Sequence, residues 1–476
     1  MLKKGVFFKL SKYYILEDKY ILRGWQNTGR VLIKRPNNAH KFLKEADFRT
    51  LLLCDGQTDF ESSFITDEMR VLAERMEKRG VIRSCEKGTR LTEDQVYRFY
   101  DNRFVERVMW SVTGCCNYRC RHCFMDAPEG VLGQLPTVRA LEIVDEIAEC
   151  GILRVHLTGG EPLIRPDFWQ IIDRFLFHKI YVQVIFTNGA LLTDKMLDGF
   201  AERNMKPQFS ISFDGLGWHD WMRGVKGAEQ LALDAMKRAA DRGYIVNASV
   251  CVHKGNLPVM WETIEKLAET GVRKVNCSGV YGTELWKVQG KDYHLDEKEY
   301  FEGMLPLIGK FYEAGMPVNL SIGGVIEMKK DSVEYQINSE VFPKGFDCRN
   351  CYLCEDARFA AYIAPDGQLL PCLPMTGAPQ EWLNRFPRLG DITLKKGLSD
   401  SFYIEFLSKK IRELFEENRK CGSCEFRLRC GGGCRASALL ETGDLMGVDP
   451  GMCFRLKNHY PERIREIADC AIRDWG

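Results

Sequence analysis

The stretch VERVMWSVTGCCNYRCRHC (105–123) decides the reading. Its first half has the apolar, strand-forming character of a β-strand. Its second half delivers Cys116, Cys120 and Cys123, with Cys115 beside them. Thiolates this close repel one another unless a soft cation neutralises them. Three of them can hold three irons of a 4Fe–4S cluster and leave the fourth without a protein ligand, and an open iron is a binding site. The competing reading is a zinc ion completed by His122 or a more distant residue.

Outward from that stretch, strand-like runs alternate with amphipathic helices. The strands are VERVMWSV (105–112), LRVHLT (153–158), YVQVIFT (181–187), QFSISFD (208–214), IVNASVCV (245–252) and KVNCSGV (274–280). Helices are expected near 137–150, 166–178, 193–203, 227–242, 256–270 and 295–315. Six strand–helix units predict an α/β fold with a parallel sheet, open or curled into a partial (β/α)6 barrel of the TIM type. Chemistry then belongs at the carboxyl ends of the strands. The second strand ends in Thr158-Gly159-Gly160-Glu161-Pro162, where two glycines leave backbone groups unobstructed and a carboxylate follows. The third ends in Thr187-Asn188-Gly189 and the fourth in Ser210-Ile211-Ser212-Phe213-Asp214-Gly215. Arg223 follows in MRGVKG, and its planar fork suits a carboxylate.

Two further regions flank this one. Residues 1–95 begin with strand formers (VFFKL, YYILED, KYILRGW, RVLIKR). Helical patterns follow at about 39–54, 58–64 and 67–79, then VIRSC at 81–85, which together suggest a winged helix-turn-helix. Residues 1–90 carry 19 Lys/Arg against 12 Asp/Glu, a balance DNA would accept. The bases are scattered, however, and the second helical pattern, DFESSFI, is acidic and apolar, a poor fit to a major groove. From about 340 the pattern breaks into short pieces around Cys348, Cys351, Cys354, Cys372, Cys421, Cys424, Cys430, Cys434 and Cys453. As chemistry these supply two four-thiolate sites, the eighth ligand being Cys348 or Cys351; a pair of zinc ribbons is the alternative.

Composition narrows the class. The chain has 476 residues, a net charge of +1 and 19 cysteines. That length predicts two to four domains. Near-neutrality argues against coating nucleic acid or an anionic membrane. No apolar run is long enough to span a bilayer, and the start MLKKGVFFKL has too short an apolar core for a secretory signal. A reducing cytoplasm is therefore expected, with cysteines serving metal or catalysis and not disulfides. The scattered Cys54, Cys85, Cys150, Cys251, Cys277 and Cys470 read as small buried hydrophobes.

The CxxxCxxC triplet after the first strand and the GGEP turn after the second resemble the radical S-adenosylmethionine (radical SAM) enzymes. That resemblance implies that Cys116, Cys120 and Cys123 ligate a catalytic 4Fe–4S cluster. SAM would chelate its fourth iron, with Gly159, Gly160 and Glu161 meeting the amino group. Asn188, Ser212 and Arg223 would touch the ribose or carboxylate, and His122 would lie beside the adenine. The later cysteines resemble the SPASM extension of those enzymes. By that resemblance auxiliary cluster I takes Cys354, Cys372, Cys434 and Cys348, and cluster II takes Cys421, Cys424, Cys430 and Cys453, leaving Cys351 in surplus. The segment FRTLLLCDGQTDFESSF…LAERMEKRGVI resembles peptide-binding winged-helix domains called RiPP recognition elements.

The domains expected are thus 1–95 for leader-peptide binding, 104–320 for the barrel and 340–476 for two auxiliary clusters. Together the resemblances imply a cytoplasmic maturase of a ribosomally made peptide, forming a thioether or carbon–carbon cross-link by way of a 5′-deoxyadenosyl radical. Its cofactors would be three 4Fe–4S clusters and SAM. Its partners would be a precursor peptide and an external one-electron reductant such as flavodoxin or ferredoxin, with no nucleic acid or membrane. Formylglycine formation and redox-neutral epimerisation are alternatives of similar chemistry. A non-enzymatic Fe–S regulator using the winged helix on DNA is the alternative from another class, but gives the GGEP turn no purpose. Cys277, Tyr281 and Asp214 are candidates for taking the last proton from substrate.

Overall fold

The computed structural model describes residues 11–125, 129–280, 282–338, 342–343 and 345–475. The N-terminal part builds β1 (Tyr13–Leu16), β2 (Tyr20–Trp25), β3 (Thr28–Lys34), β4 (Ala39–Phe42), β5 (Ile82–Cys85) and β6 (Arg98–Tyr100). One sheet runs β4-β3-β2-β6, and β1 pairs antiparallel with β5. Helices Glu45–Leu52 and Asp67–Lys78 pack on these strands through Phe48, Leu51, Ala73 and Met76, with Phe60 beneath.

Two expectations change here. Residues 39–42 form a strand paired with β3 and not the start of a helix. The expected helix at 58–64 is a run of turns, because the Asp59 side chain takes the backbone N–H groups of Lys12 and Glu61. The VFFKL run lies outside the described residues.

The central sheet carries all six expected parallel strands: β7 (Arg107–Ser111), β8 (Arg154–Thr158), β9 (Tyr181–Thr187), β10 (Gln208–Ser212), β11 (Val246–Val252) and β12 (Lys274–Gly279). β13 (Asn319–Ile322) adds a seventh parallel strand, followed by antiparallel β14 (Ile326–Met328) and β15 (Tyr335–Ile337). The helix expected at 295–315 is two, Glu297–Met304 and Pro306–Glu313, because Pro306 cannot donate to the turn before it.

The C-terminal region is more regular than its sequence suggests. β16 (Ala360–Ile363) pairs parallel with β7, and β17 (Leu369–Leu370) pairs with β16, so the sheet runs through eleven strands with β15 and β17 at its edges. The closing helix Tyr460–Trp475 packs through Tyr460, Ile464 and Ala468 into the same core as Leu307, Ile308 and Phe311.

Side-chain alternation splits this sheet into two unlike faces. Val108, Trp110, Val155, Leu157, Phe209, Ile211, Val246, Ala248, Val250 and Val275 face the helices in one core, each of the larger ones contributing about 1.5–3 kcal/mol on burial. The opposite face carries Ser111, His156, Thr158, Gln183, Ser210, Ser212, Asn247, Ser249, Asn276 and Ser278. Cross-strand hydrogen bonds knit it, His156 to Gln183 at 3.1 Å and Ser210 to Ser249 at 3.0 Å.

The N-terminal part docks on the amino ends of these strands. Trp25 Nε1 donates to Cys150 O at 3.0 Å, Asn38 Nδ2 to Leu153 O at 2.7 Å and Arg35 Nη1 to Lys179 O at 2.6 Å.

Candidate functional site

The cysteine loop and the glycine turn are clasped together at the carboxyl ends of β7 and β8. Thr113 O accepts Gly160 N–H at 2.8 Å, and Cys115 O accepts Glu161 N–H at 2.9 Å. Gly159 has φ +152°, and a Cβ there would stand 2.5 Å from Thr113 O. Only glycine permits this approach. Glu161 is fully buried, and its carboxylate accepts from Thr187 Oγ1, from Asn188 N–H at 2.8 Å and from Leu163 N–H at 3.1 Å. Burial pushes it up to about 7, while those donors pull the other way. Its side chain thus pins the end of β9 to the glycine turn, leaving backbone groups of the turn as the open acceptors. Asn188 reaches the cysteine loop too: Nδ2 donates to Asn117 Oδ1 at 2.8 Å and lies 3.9 Å from Cys116 Sγ. Ser212 closes β10, half-buried and level with Ser249.

A buried charged group underlies the loop. Arg223 Nη1 donates to Cys120 Sγ at 3.6 Å, and its Nε stands 2.6 Å from Asp214 Oδ2. Asp214 and His219 are fully buried, and Asp214 N–H donates to His219 Nδ1 at 2.9 Å. Although burial opposes ionisation, Arg223 holds the Asp214 carboxyl far below the ordinary range. Burial, then Arg223, pushes the neighbouring His122 down to about 4, so its imidazole is neutral at pH 7.

These placements remove two candidates for the final proton acceptor. Asp214 is locked in its ion pair and too weakly basic, and Cys277 belongs to the helix-side core at 1% exposure. Tyr281 lies outside the described residues.

The thiol sets, as placed, do not close on a single tetrahedral ion. A tetrahedral zinc with metal–sulfur bonds of about 2.3 Å draws its sulfurs to within roughly 4 Å of one another. Among the described residues only His122, Asp214 and Cys251 bring three candidate ligand atoms within 4.8 Å. Neither the 116–120–123 thiols nor the later cysteines do so. Burial raises the Cys116 thiol to about 12, Cys120 and Cys123 adding to the rise, so only a bound cation would hold it as a thiolate.

The later cysteines fall into two sets. Cys354 and Cys372 are raised by burial first and then by each other or Cys434. Cys430 and Cys453 are raised by burial and then by thiols among Cys421, Cys424 and Cys453. Cys348 is fully buried beside Leu353, Ile411 and Leu414, its thiol neighbour being Cys351.

Two residues that the sequence reading missed hold these sets together. Asp449 accepts Cys434 N–H at 2.8 Å through Oδ2 and caps helix Pro450–Lys457, which carries Cys453, by accepting Met452 N–H at 3.1 Å. A Cβ on Gly433 would meet that Oδ2 at 2.5 Å, which explains the last glycine of GGGC. Arg435, 2% exposed, donates to Leu445 O and Gly447 O and feels Cys421, Cys434 and Cys430 electrostatically. The sequence signal for Asp449 was the Asp-Pro pair of a helix start. Arg435 left none.

The cysteine loop thus stands at the head of a parallel sheet, clasped to a glycine turn. Residues 110–267 match the radical SAM superfamily and form that domain. Among characterised proteins, the chain is 26% identical over 370 residues to an AdoMet-dependent heme synthase of Methanosarcina barkeri, covering 73% of this chain and 96% of that one. It is 25% identical over 359 residues to a PqqA peptide cyclase of Granulibacter bethesdensis, covering 74% and 88%. The fold matches Streptococcus suis SuiB, solved with its precursor peptide SuiA, at a TM-score of 0.62 and 16% identity over 92% of this chain and 99% of that one. A 92% share cannot be reached without most of the N-terminal part. No described helix is long and apolar enough to cross a membrane.

Proposed function

We propose that this protein is a peptide maturase that takes a ribosomally made precursor and oxidises it to a cross-linked product in the cytoplasm. The observation that carries this reading is the polar inner face of the sheet. A peptide brings amide groups that need hydrogen-bond partners, and serines, asparagines and glutamine recur across β9 to β12.

SAM and the cluster held by Cys116, Cys120 and Cys123, when bound, supply a one-electron cleavage that yields a 5′-deoxyadenosyl radical able to remove a hydrogen atom from substrate. The chain's own residues position the partners. The carbonyls of Gly159 and Gly160 would meet the SAM amino group, with Glu161 bracing the turn through Asn188 N–H. Asn188, Ser212 and the neutral His122 line the same end of the sheet for the ribose and adenine.

Oxidative cross-linking removes two hydrogens from the peptide. One leaves as an atom, and the other leaves as a proton with its electron passing to an acceptor. The cysteine sets Cys354, Cys372, Cys434 with Cys348, and Cys421, Cys424, Cys430, Cys453, would hold two 4Fe–4S clusters in that role. Their attachment favours it. Cys372 follows β17, which pairs with β16, and β16 pairs with β7, the strand that leads into the 116–123 loop. An external one-electron reductant such as flavodoxin or ferredoxin would start each cycle.

The N-terminal part would hold the leader. Among the described residues β4 is a free sheet edge, and beside it a cavity of about 360 Å³ lies between the strands and both helices, lined by Leu32, Lys34, Lys41, Leu51, Arg79 and the Arg75–Asp47 ion pair. An edge strand with apolar floor and basic rim suits an acidic, extended peptide. The 67–78 helix and its preceding turns support the winged-helix reading.

The test is anaerobic turnover, with SAM and dithionite, of synthetic peptides encoded by short reading frames beside the gene. The expected result is 5′-deoxyadenosine together with a peptide about two mass units lighter. SAM turnover on a porphyrin, with every peptide unchanged, would overturn the proposal.

A further inference from the structure

Resting on the radical SAM reading of Cys116, Cys120 and Cys123, we infer that Arg223 and Asp214 are positioning residues that set the reduction potential of the cluster those cysteines hold. Three observations converge. Arg223 Nη1 donates to the sulfur of a ligand residue, Cys120, at 3.6 Å. Its Nε is tied to Asp214 Oδ2 at 2.6 Å, so the guanidinium lies between the carboxylate and the thiolate. Both side chains are shielded from water, Asp214 fully and Arg223 at 8% exposure.

The placement is built and not incidental. Helix His219–Arg223 is hydrogen-bonded directly to the cysteine loop, Arg119 N–H to Arg223 O at 3.1 Å and Arg121 N–H to Met222 O at 2.9 Å. Asp214 is fixed in turn by Cys251 N–H at 3.2 Å and by His219, itself stacked on Phe213.

Reduction adds one electron to a cluster. A fixed positive charge beside a ligand sulfur favours the reduced form, and the carboxylate behind it opposes that effect from farther away. Buried charges are little screened by salt, so both influences persist at physiological ionic strength. The two residues therefore act with opposite signs. Arg223 raises the potential and Asp214 moderates it. A role confined to holding the loop in shape would move both variants the same way.

The experiment is an EPR-monitored redox titration of the anaerobically reconstituted full chain, following the signal that changes on adding SAM, with iron content measured alongside. At the wild-type midpoint, Arg223→Gln should lower the ratio of reduced to oxidised cluster at least tenfold, about 59 mV for one electron. Asp214→Asn, nearly isosteric, should raise that ratio, and Arg223→Lys should stay nearer wild type than Arg223→Gln. Shifts of the same sign in Arg223→Gln and Asp214→Asn, or no shift in either, would overturn the inference. If Arg223→Gln fails to take up iron, Asp214→Asn decides alone: a rise supports the inference, and a fall or no change overturns it. A wild-type protein with no SAM-sensitive signal would instead sink the radical SAM reading itself.

Discussion

Cys116, Cys120 and Cys123 hang from the end of a central strand flanked on both sides, β8 on one and β16 on the other. Cys421, Cys424, Cys430, Cys434 and Cys453 sit instead on short helices and turns, among them Arg419–Gly422, Arg427–Cys430 and Pro450–Lys457. The first site inherits its geometry from a sheet whose outer face buries a continuous apolar core. The second has to be fastened residue by residue, through Asp449, Arg435 and a triple glycine. Where a scaffold already fixes positions, only the exposed motif needs to be special. Where it does not, buried polar groups take over.

That contrast can be broken experimentally, most severely at the ligands. Replacing Cys120 and Cys123 together with Ala should abolish 5′-deoxyadenosine formation and remove about four irons per chain, while leaving the secondary structure intact because the sheet does not depend on the loop. Cys424→Ala should do the reverse. SAM cleavage survives, product is lost, and the short helices around Cys421–Cys434 become sensitive to protease, because on the proposed reading a cluster fastens them. Normal product from that variant would end the electron-acceptor role of the second thiol set.

Smaller effects sharpen the comparison. Gly159→Ala places a methyl group 2.5 Å from Thr113 O. It should cost on the order of 1–3 kcal/mol in chemical denaturation and weaken SAM binding, with the auxiliary iron unchanged. Asp449→Ala removes a helix cap worth about 1 kcal/mol and releases Cys434 N–H, so iron loss should be confined to the later cysteines.

Smallest is a pH effect at Glu161. Its folded-state value near 7 lies above the ordinary 4.5, so the folded protein holds that proton more tightly than the unfolded chain. The stability it contributes is fully present below pH 4.5 and lost as pH rises to about 7. Unfolding of wild type against Glu161→Gln should therefore move in favour of the variant as pH rises from 4.5 to about 7. A difference independent of pH would contradict this.

Much of the central sheet was legible because buried parallel strands read as short apolar runs separated by helix-length patterns. The six parallel strands stand where those runs predicted. The N-terminal helices were less so. DFESSFI has helical composition, yet Asp59 binds backbone N–H groups and buries Phe60 in a turn. β16 and β17 escaped notice because strands of four and two residues carry no periodicity, and only their pairing with β7 defines them. The cysteines were legible from spacing, but the contact of Arg223 with Cys120 joins residues 103 positions apart and belongs to tertiary structure alone.

The central claim is that three thiols leave one iron open for SAM, and Mössbauer spectroscopy of anaerobically reconstituted, 57Fe-enriched protein tests it most directly. With the auxiliary cysteines replaced, the account predicts one four-iron cluster whose spectrum gains a distinct six-coordinate iron site when SAM is added. Bound zinc in place of iron, or a four-iron spectrum indifferent to SAM, would contradict it.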